Sequence, residues 1–130
     1  FYIYPGDRPV TRYEDLAGLR VAVVAGKTHF PRLDADAALR KVECPDQIAA
    51  LEKVLTGACD VAVLPEMEGD WVLLRYNLPL AKSPFTVPGL PSYITIAKGS
   101  PALALRASIE QAMAEMVRDG TMAAILDRYR

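Results

Sequence analysis

Two apolar runs constrain this chain most, one within RVAVVA at residues 20–25 and one within DVAVLP at 60–65. A strand with one wet face alternates apolar and polar residues, whereas an unbroken run suits a strand covered on both faces. Between the runs, residues 45–57 have helical spacing, with Ile48, Leu51, Val54 and Leu55 on one face. Pro45 suits the first position of that helix and Gly57 its left-handed cap. A helix over residues 30–40 and a short strand at KVEC (41–44) complete the alternation, and EMEGDWVLLRY (66–76) reads as a further short helix. Strand, helix, strand, helix, strand predicts an α/β fold with a mostly parallel sheet flanked by helices.

The ends read differently. FYIYPG (1–6) reads as a strand closed by Pro5 and Gly6, and TRYEDLAG (11–18) as a loop with one helical turn at Tyr13–Leu16. NLPLAKSPFTVPGLP (77–91) holds four prolines and predicts a connection with at most short edge strands. SYITIAK (92–98) reads as a strand. Two helices follow, with apolar stripes at Leu105, Ile109, Met113, Met116 and Val117, then at Met122, Ile125, Leu126 and Tyr129. Gly120 is expected to close the first and Thr121 to cap the second. The expected division is 1–92 and 93–130.

The chain has 130 residues, enough for a core, and a net charge of −1. That balance leaves no electrostatic footprint for nucleic acid or an anionic membrane. No apolar run approaches the ~20 residues of a membrane span. The chain opens in FYIY without an initiator Met or a signal-peptide pattern, so a processed or cut product is expected. Cys44 and Cys59 flank the central helix, whose ends lie about 18 Å apart at about 1.5 Å per residue, so both are expected as buried free thiols. With no CxxC pair and His29 as the one histidine, no metal site is expected. No cofactor is expected either.

VVAGKTHF (23–30) is close to a nucleotide phosphate loop, but Val21 stands where the earlier glycine belongs. VAVLPE (61–66) is close to a magnesium-binding strand, but Pro65 stands where an aspartate is usual. The alternative is a site at the carboxyl ends of the strands, where open α/β sheets bind ligands. Gly26, Lys27, Thr28 and His29 follow one strand and Pro65 and Glu66 another. Thr28 near a helix N-terminus would favour a carboxylate, Gly26 would let the backbone approach, and Lys27 would add positive charge. Glu66 could face a ligand ammonium. Thr28, Lys27, Glu66 and His29 each have a plainer reading. Thr28 caps its own helix, Lys27 is solvated, Glu66 complements a helix dipole and His29 is a surface or capping residue. Trp71 and Met113, Met116 and Met122 read as core by default.

Three segments together resemble the family 3 extracellular solute-binding proteins of the polar amino-acid type. YEDLAGLRVAVVAGKTHF matches that family's second-lobe opening, and LEKVLTGACDVAVLPE matches its "L..G..DA...D" segment. YITIAKGSPALALRASIEQAMAEMVRDGTMAAILDRY matches its carboxyl-terminal segment, with the "DGT...I...Y" ending. The resemblance implies one lobe of a two-lobed, periplasmic-binding-protein type II flytrap, with the first lobe missing. It implies a non-catalytic periplasmic or extracellular receptor that passes a small polar or anionic, amino-acid-like ligand to the membrane subunits of an ABC transporter. It places a carboxylate contact at Thr28, with Lys27 beside it. It places Pro65 where the family's ammonium-binding aspartate stands, so Glu66 substitutes or the ligand is not an α-amino acid. It also leaves the carboxyl-terminal helices without the first lobe they would pack on, so self-association through them is expected. Two alternatives share the fold. One is the ligand-sensing lobe of a membrane sensor kinase. The other is a dehydratase-like enzyme with Glu66 as its general acid.

Overall fold

The computed structural model describes residues 1–4, 6, 9–89 and 93–128. The chain divides into two compact units, Phe1–Gly89 and Leu90–Arg130, against the 92/93 boundary expected.

Among the described residues, the first unit is built on five strands: β1 (Tyr2–Ile3), β2 (Arg20–Val24), β3 (Arg40–Cys44), β4 (Val61–Ala62) and β5 (Ala81–Lys82). Their order across the sheet is β3-β2-β4-β1-β5. β2 pairs parallel with β3, with Arg20 opposite Arg40 and Val24 opposite Cys44, and parallel with β4, with Ala22 opposite Ala62. β1 is antiparallel to both neighbours, Tyr2 standing opposite Ala62 on one side and Lys82 on the other. Four strands therefore point one way and β1 runs against them, so the sheet is mixed and mostly parallel.

The apolar runs behave as their composition requires. Val21, Val23, Val61 and Val63 face one cluster, closed by Leu16, Leu33 and Val10. Ala22, Val24, Ala62 and Leu64 face the other, closed by Leu51 and Val54 of α2 (Gln47–Leu55) and Val72 of α3 (Glu66–Tyr76). Every second side chain thus enters an apolar layer on each face. Cys44 and Cys59 are free and buried in the second cluster.

Several elements differ from their expected form. Pro45 lies outside α2, because Asp46 is the N-cap and its side chain accepts the Ala49 N–H at 2.8 Å. Gly57 is left-handed as expected, at φ +69°. The helix expected over 30–40 is only α1 (Pro31–Ala35). Asp36 ends it: its backbone is extended, and its carboxylate takes the Ala38 N–H and the Tyr13 hydroxyl. The strand expected at 1–6 is Tyr2–Ile3, and Pro5 lies outside the described residues. The expected turn at Tyr13–Leu16 is a 3-10 helix. Trp71 is not core, being 49 % exposed against Tyr76.

The second unit holds a 3-10 turn at Pro101–Leu105, then α4 (Arg106–Arg118) and α5 (Thr121–Asp127). Residues 93–97, expected as part of a strand, form none, and Ser92 lies outside the described residues. Among the described residues this unit holds no strand that could complete a ladder with them. Gly120 is left-handed at φ +82° and serves both helices, ending α4 and capping α5. Thr121 is therefore the first residue of α5 and not its cap. Ile109, Met113, Met116, Met122, Ile125 and Leu126 are half-buried, whereas Leu105 and Val117 are exposed. Tyr129 lies outside the described residues.

Candidate functional site

Strand order decides where a ligand can enter. From β2 the chain crosses through α1 to β3 on one side, and from β4 it leaves through α3 toward β5 on the other. β2 and β4 are adjacent and parallel and their connections part, the arrangement beyond whose carboxyl strand ends open α/β sheets bind ligands. Gly26 to His29 follow β2, Pro65 and Glu66 follow β4, and Gln47 opens the helix after β3. All lie on one rim.

At the first strand end, Gly26 turns the chain at φ +71° with open space around its α-carbon, so it supplies a backbone conformation. The Lys27 N–H donates to Val24 O at 3.3 Å and closes the turn. His29 does not face the rim. Its side chain is buried, its Nε2 accepts the Val24 N–H at 3.4 Å, and its Nδ1 stands 3.6 Å from Asp34 Oδ1. β4 ends at Ala62, so that Val24 donor has passed the end of the ladder and the imidazole satisfies it. Thr28 is exposed and caps nothing, because Phe30 is the N-cap of α1 and that helix has no side-chain cap. The helix N-terminal cap expected at Thr28 is therefore not formed, and Lys27 and the turn are what stand at this strand end.

Lys27 reaches across to α3, its Nζ donating to Glu68 Oε2 at 2.8 Å. The same oxygen accepts from Gln47 Nε2. One carboxylate thus ties together the segments that follow β2, β3 and β4. Burial pushes the Glu68 carboxyl up, but the Lys27 and Gln47 hydrogen bonds outweigh it and hold the group below its ordinary range.

Glu66, expected to await a ligand, is already engaged. Lys82 Nζ lies 2.8 Å from Glu66 Oε1 and 2.8 Å from Asp70 Oδ2. The Tyr2 hydroxyl is 2.9 Å from Glu66 O and 3.0 Å from Asp70 Oδ1, sharing one proton between them. Burial, then Asp70, push the Tyr2 phenol up, and Asp70 and Glu66 push the Lys82 ammonium up. The Glu66 side chain is largely exposed, without the burial that a general-acid role invokes. Pro65 is the N-cap of α3 and contributes no side-chain cap.

The structure brings Gly26, Lys27, Pro65 and Glu66 to the rim, leaves Thr28 exposed beside it and turns His29 inward. Sequence reasoning missed Gln47, Glu68, Asp70, Tyr2 and Lys82. The spacing of Glu66 and Asp70, one helical turn apart, was the available signal for a paired acid face. Among the described residues, no group of three or more His, Cys, Asp or Glu could hold a metal ion, and no helix is long and apolar enough to cross a membrane.

No family model matches the chain, and no curated protein does. Solved structures do. Domain 2 of TmArgBP superposes with a TM-score of 0.56 at 23 % identity, over 63 % of this chain and 89 % of that one. The two share a fold. The second substrate-binding domain of a putative amino acid ABC transporter from Streptococcus pneumoniae superposes with a TM-score of 0.69 at 22 % identity. That match covers 98 % of this chain and 58 % of the other, so the chain spans little over half the length of that structure.

Proposed function

We propose that this lobe binds a small polar or anionic metabolite without chemistry. It acts as part of a solute-binding protein that delivers the ligand to the membrane subunits of an ABC transporter. A first lobe closes on the rim, and the protein works in the periplasm or outside the cell. The observation that carries this reading is the convergence of three strand-end segments on a polar rim at the switch point, in a fold shared with domain 2 of TmArgBP and with a substrate-binding domain of a putative amino acid ABC transporter. Closure around a ligand needs such a rim and no reacting group.

Lys27 and the turn at Gly26 hold the ligand's anionic group in this reading, with Thr28 beside them. Pro65 and Glu66 form the opposite lip, while His29 props the turn from below. The half-buried stripes of α4 and α5 are the surface this reading gives to the first lobe or to a second copy of the chain.

Isothermal titration of the gene product carrying this chain, against the proteinogenic amino acids and small organic acids, tests the reading. One ligand class is expected to bind. Lys27→Ala should weaken it about tenfold, the loss of one hydrogen bond to a charged group at ~1.5 kcal/mol. Absence of binding across the panel, or turnover of any member, would overturn the proposal.

A further inference from the structure

The surroundings of Lys82 bear on the class of ligand, an inference that rests on the solute-binding reading above. A primary ammonium held between two carboxylates is a strong, charge-assisted way to seat an amine. That geometry exists on this rim, and the ammonium is the chain's own, with Lys82 Nζ at 2.8 Å from both Glu66 Oε1 and Asp70 Oδ2.

The seat is fixed from behind. Tyr2 is 1 % exposed, and its hydroxyl holds the second oxygen of Asp70. Its ring lies directly against Gly69. The remaining acid of this stretch of α3, Glu68, already faces Lys27 and Gln47. Each of the acids Glu66, Glu68 and Asp70 therefore faces a cation supplied by the chain.

A ligand ammonium entering here must compete with a tethered one, whose effective concentration is on the order of millimolar. A ligand carboxylate meets Glu66, Asp70 and Glu68 at the ammonium groups of Lys82 and Lys27, but it can add to them without displacing any. An ammonium has three donors, and the contacts above take two at Lys82 and one at Lys27. Both side chains keep an open face, 44 % and 41 % exposed.

We propose that Lys82 is a specificity-determining residue that fills the lobe's ammonium seat, so that the ligand is a small organic acid without a free α-ammonium group.

The test uses matched pairs that differ only in that group: aspartate against malate, alanine against lactate, and phenylalanine against phenyllactate. Affinities are measured by titration calorimetry on the whole protein and on its Lys82→Met and Lys82→Gln variants, with far-UV circular dichroism to verify the fold. The unsubstituted protein is expected to favour the hydroxy acid of the bound pair by at least about tenfold. Both variants should move that ratio toward the amino acid by about tenfold, the scale set by removing the tethered competitor. Preference for the amino acid in the unsubstituted protein, or a ratio that neither variant changes, overturns the role of Lys82 while leaving solute binding intact. Absence of binding by every member in all three proteins overturns this inference, and absence across the wider panel above as well overturns the solute-binding reading.

Discussion

Gly69→Ala is the sharpest available test of how the rim is built. Gly69 lies inside α3 and is buried, where alanine is the better helix former by about 1 kcal/mol. Helix propensity alone therefore expects stabilisation. The packing says otherwise. A β-carbon at Gly69 would stand 2.2 Å from Tyr2 Cζ, 2.3 Å from its hydroxyl oxygen and 2.4 Å from Cε2. Ordinary contact begins at 3.4 Å, so ring and helix must part by more than an ångström. Tyr2 cannot yield cheaply, since it is locked in the β1 ladder on both sides and packed in the core. Overpacking costs ~1–3 kcal/mol, and losing the hydroxyl's contacts with Asp70 and Glu66 adds ~0.5–1.5 kcal/mol. Against the propensity gain, net destabilisation of about 1–3 kcal/mol is expected. For a domain near this size each kcal/mol lowers the melting temperature by roughly 4–8 °C. Urea unfolding of the single variants and of Gly69→Ala with Tyr2→Ala gives the coupling directly. On the Tyr2→Ala background the cost of the alanine should disappear. A more stable Gly69→Ala protein, or a cost that persists without the Tyr2 ring, would refute the reasoning.

Two further outcomes concern titration and thiol access. Asp60 is held below the ordinary carboxylate range first by the Arg20 side-chain hydrogen bond, and Asp15 is pushed down to about 2, first by the Thr11 hydroxyl. Both acids are stronger in the folded state, so their contribution is present above an unfolded value of about 4 and lost as pH falls through the folded value. Melting temperature should therefore drop between about pH 4 and 2, and Asp60→Asn should flatten part of that slope; an unchanged slope would count against the Arg20 clip. Burial pushes the Cys44 and Cys59 thiols up and seals them in the core. A thiol reagent at neutral pH should label them only as the protein opens. Rapid labelling of the native protein would contradict the core assignment.

What the sequence by itself determined was local. The unbroken runs of β2 and β4, the span of α3, the 3-10 turn and the left-handed Gly57 and Gly120 all follow from periodicity and backbone preference among near neighbours. The tertiary structure decided what distant residues do to one another. It placed β1 antiparallel between β4 and β5, which carries the Tyr2 hydroxyl to Glu66 and Asp70, 64 and 68 positions along the chain. It joined Gln47 to Glu68 across 21 positions and Lys27 to Glu68 across 41. It also shortened α1, because Asp36 bonds Tyr13 instead of continuing a helix, and it turned His29 under the loop to satisfy a strand donor. Hydrophobic spacing reports which face of an element is buried, but carries no record of which distant side chain will meet it. The location of the rim could be read from alternating elements. The charge pairing that sets its chemistry came from sheet order, which brings strands distant in sequence side by side.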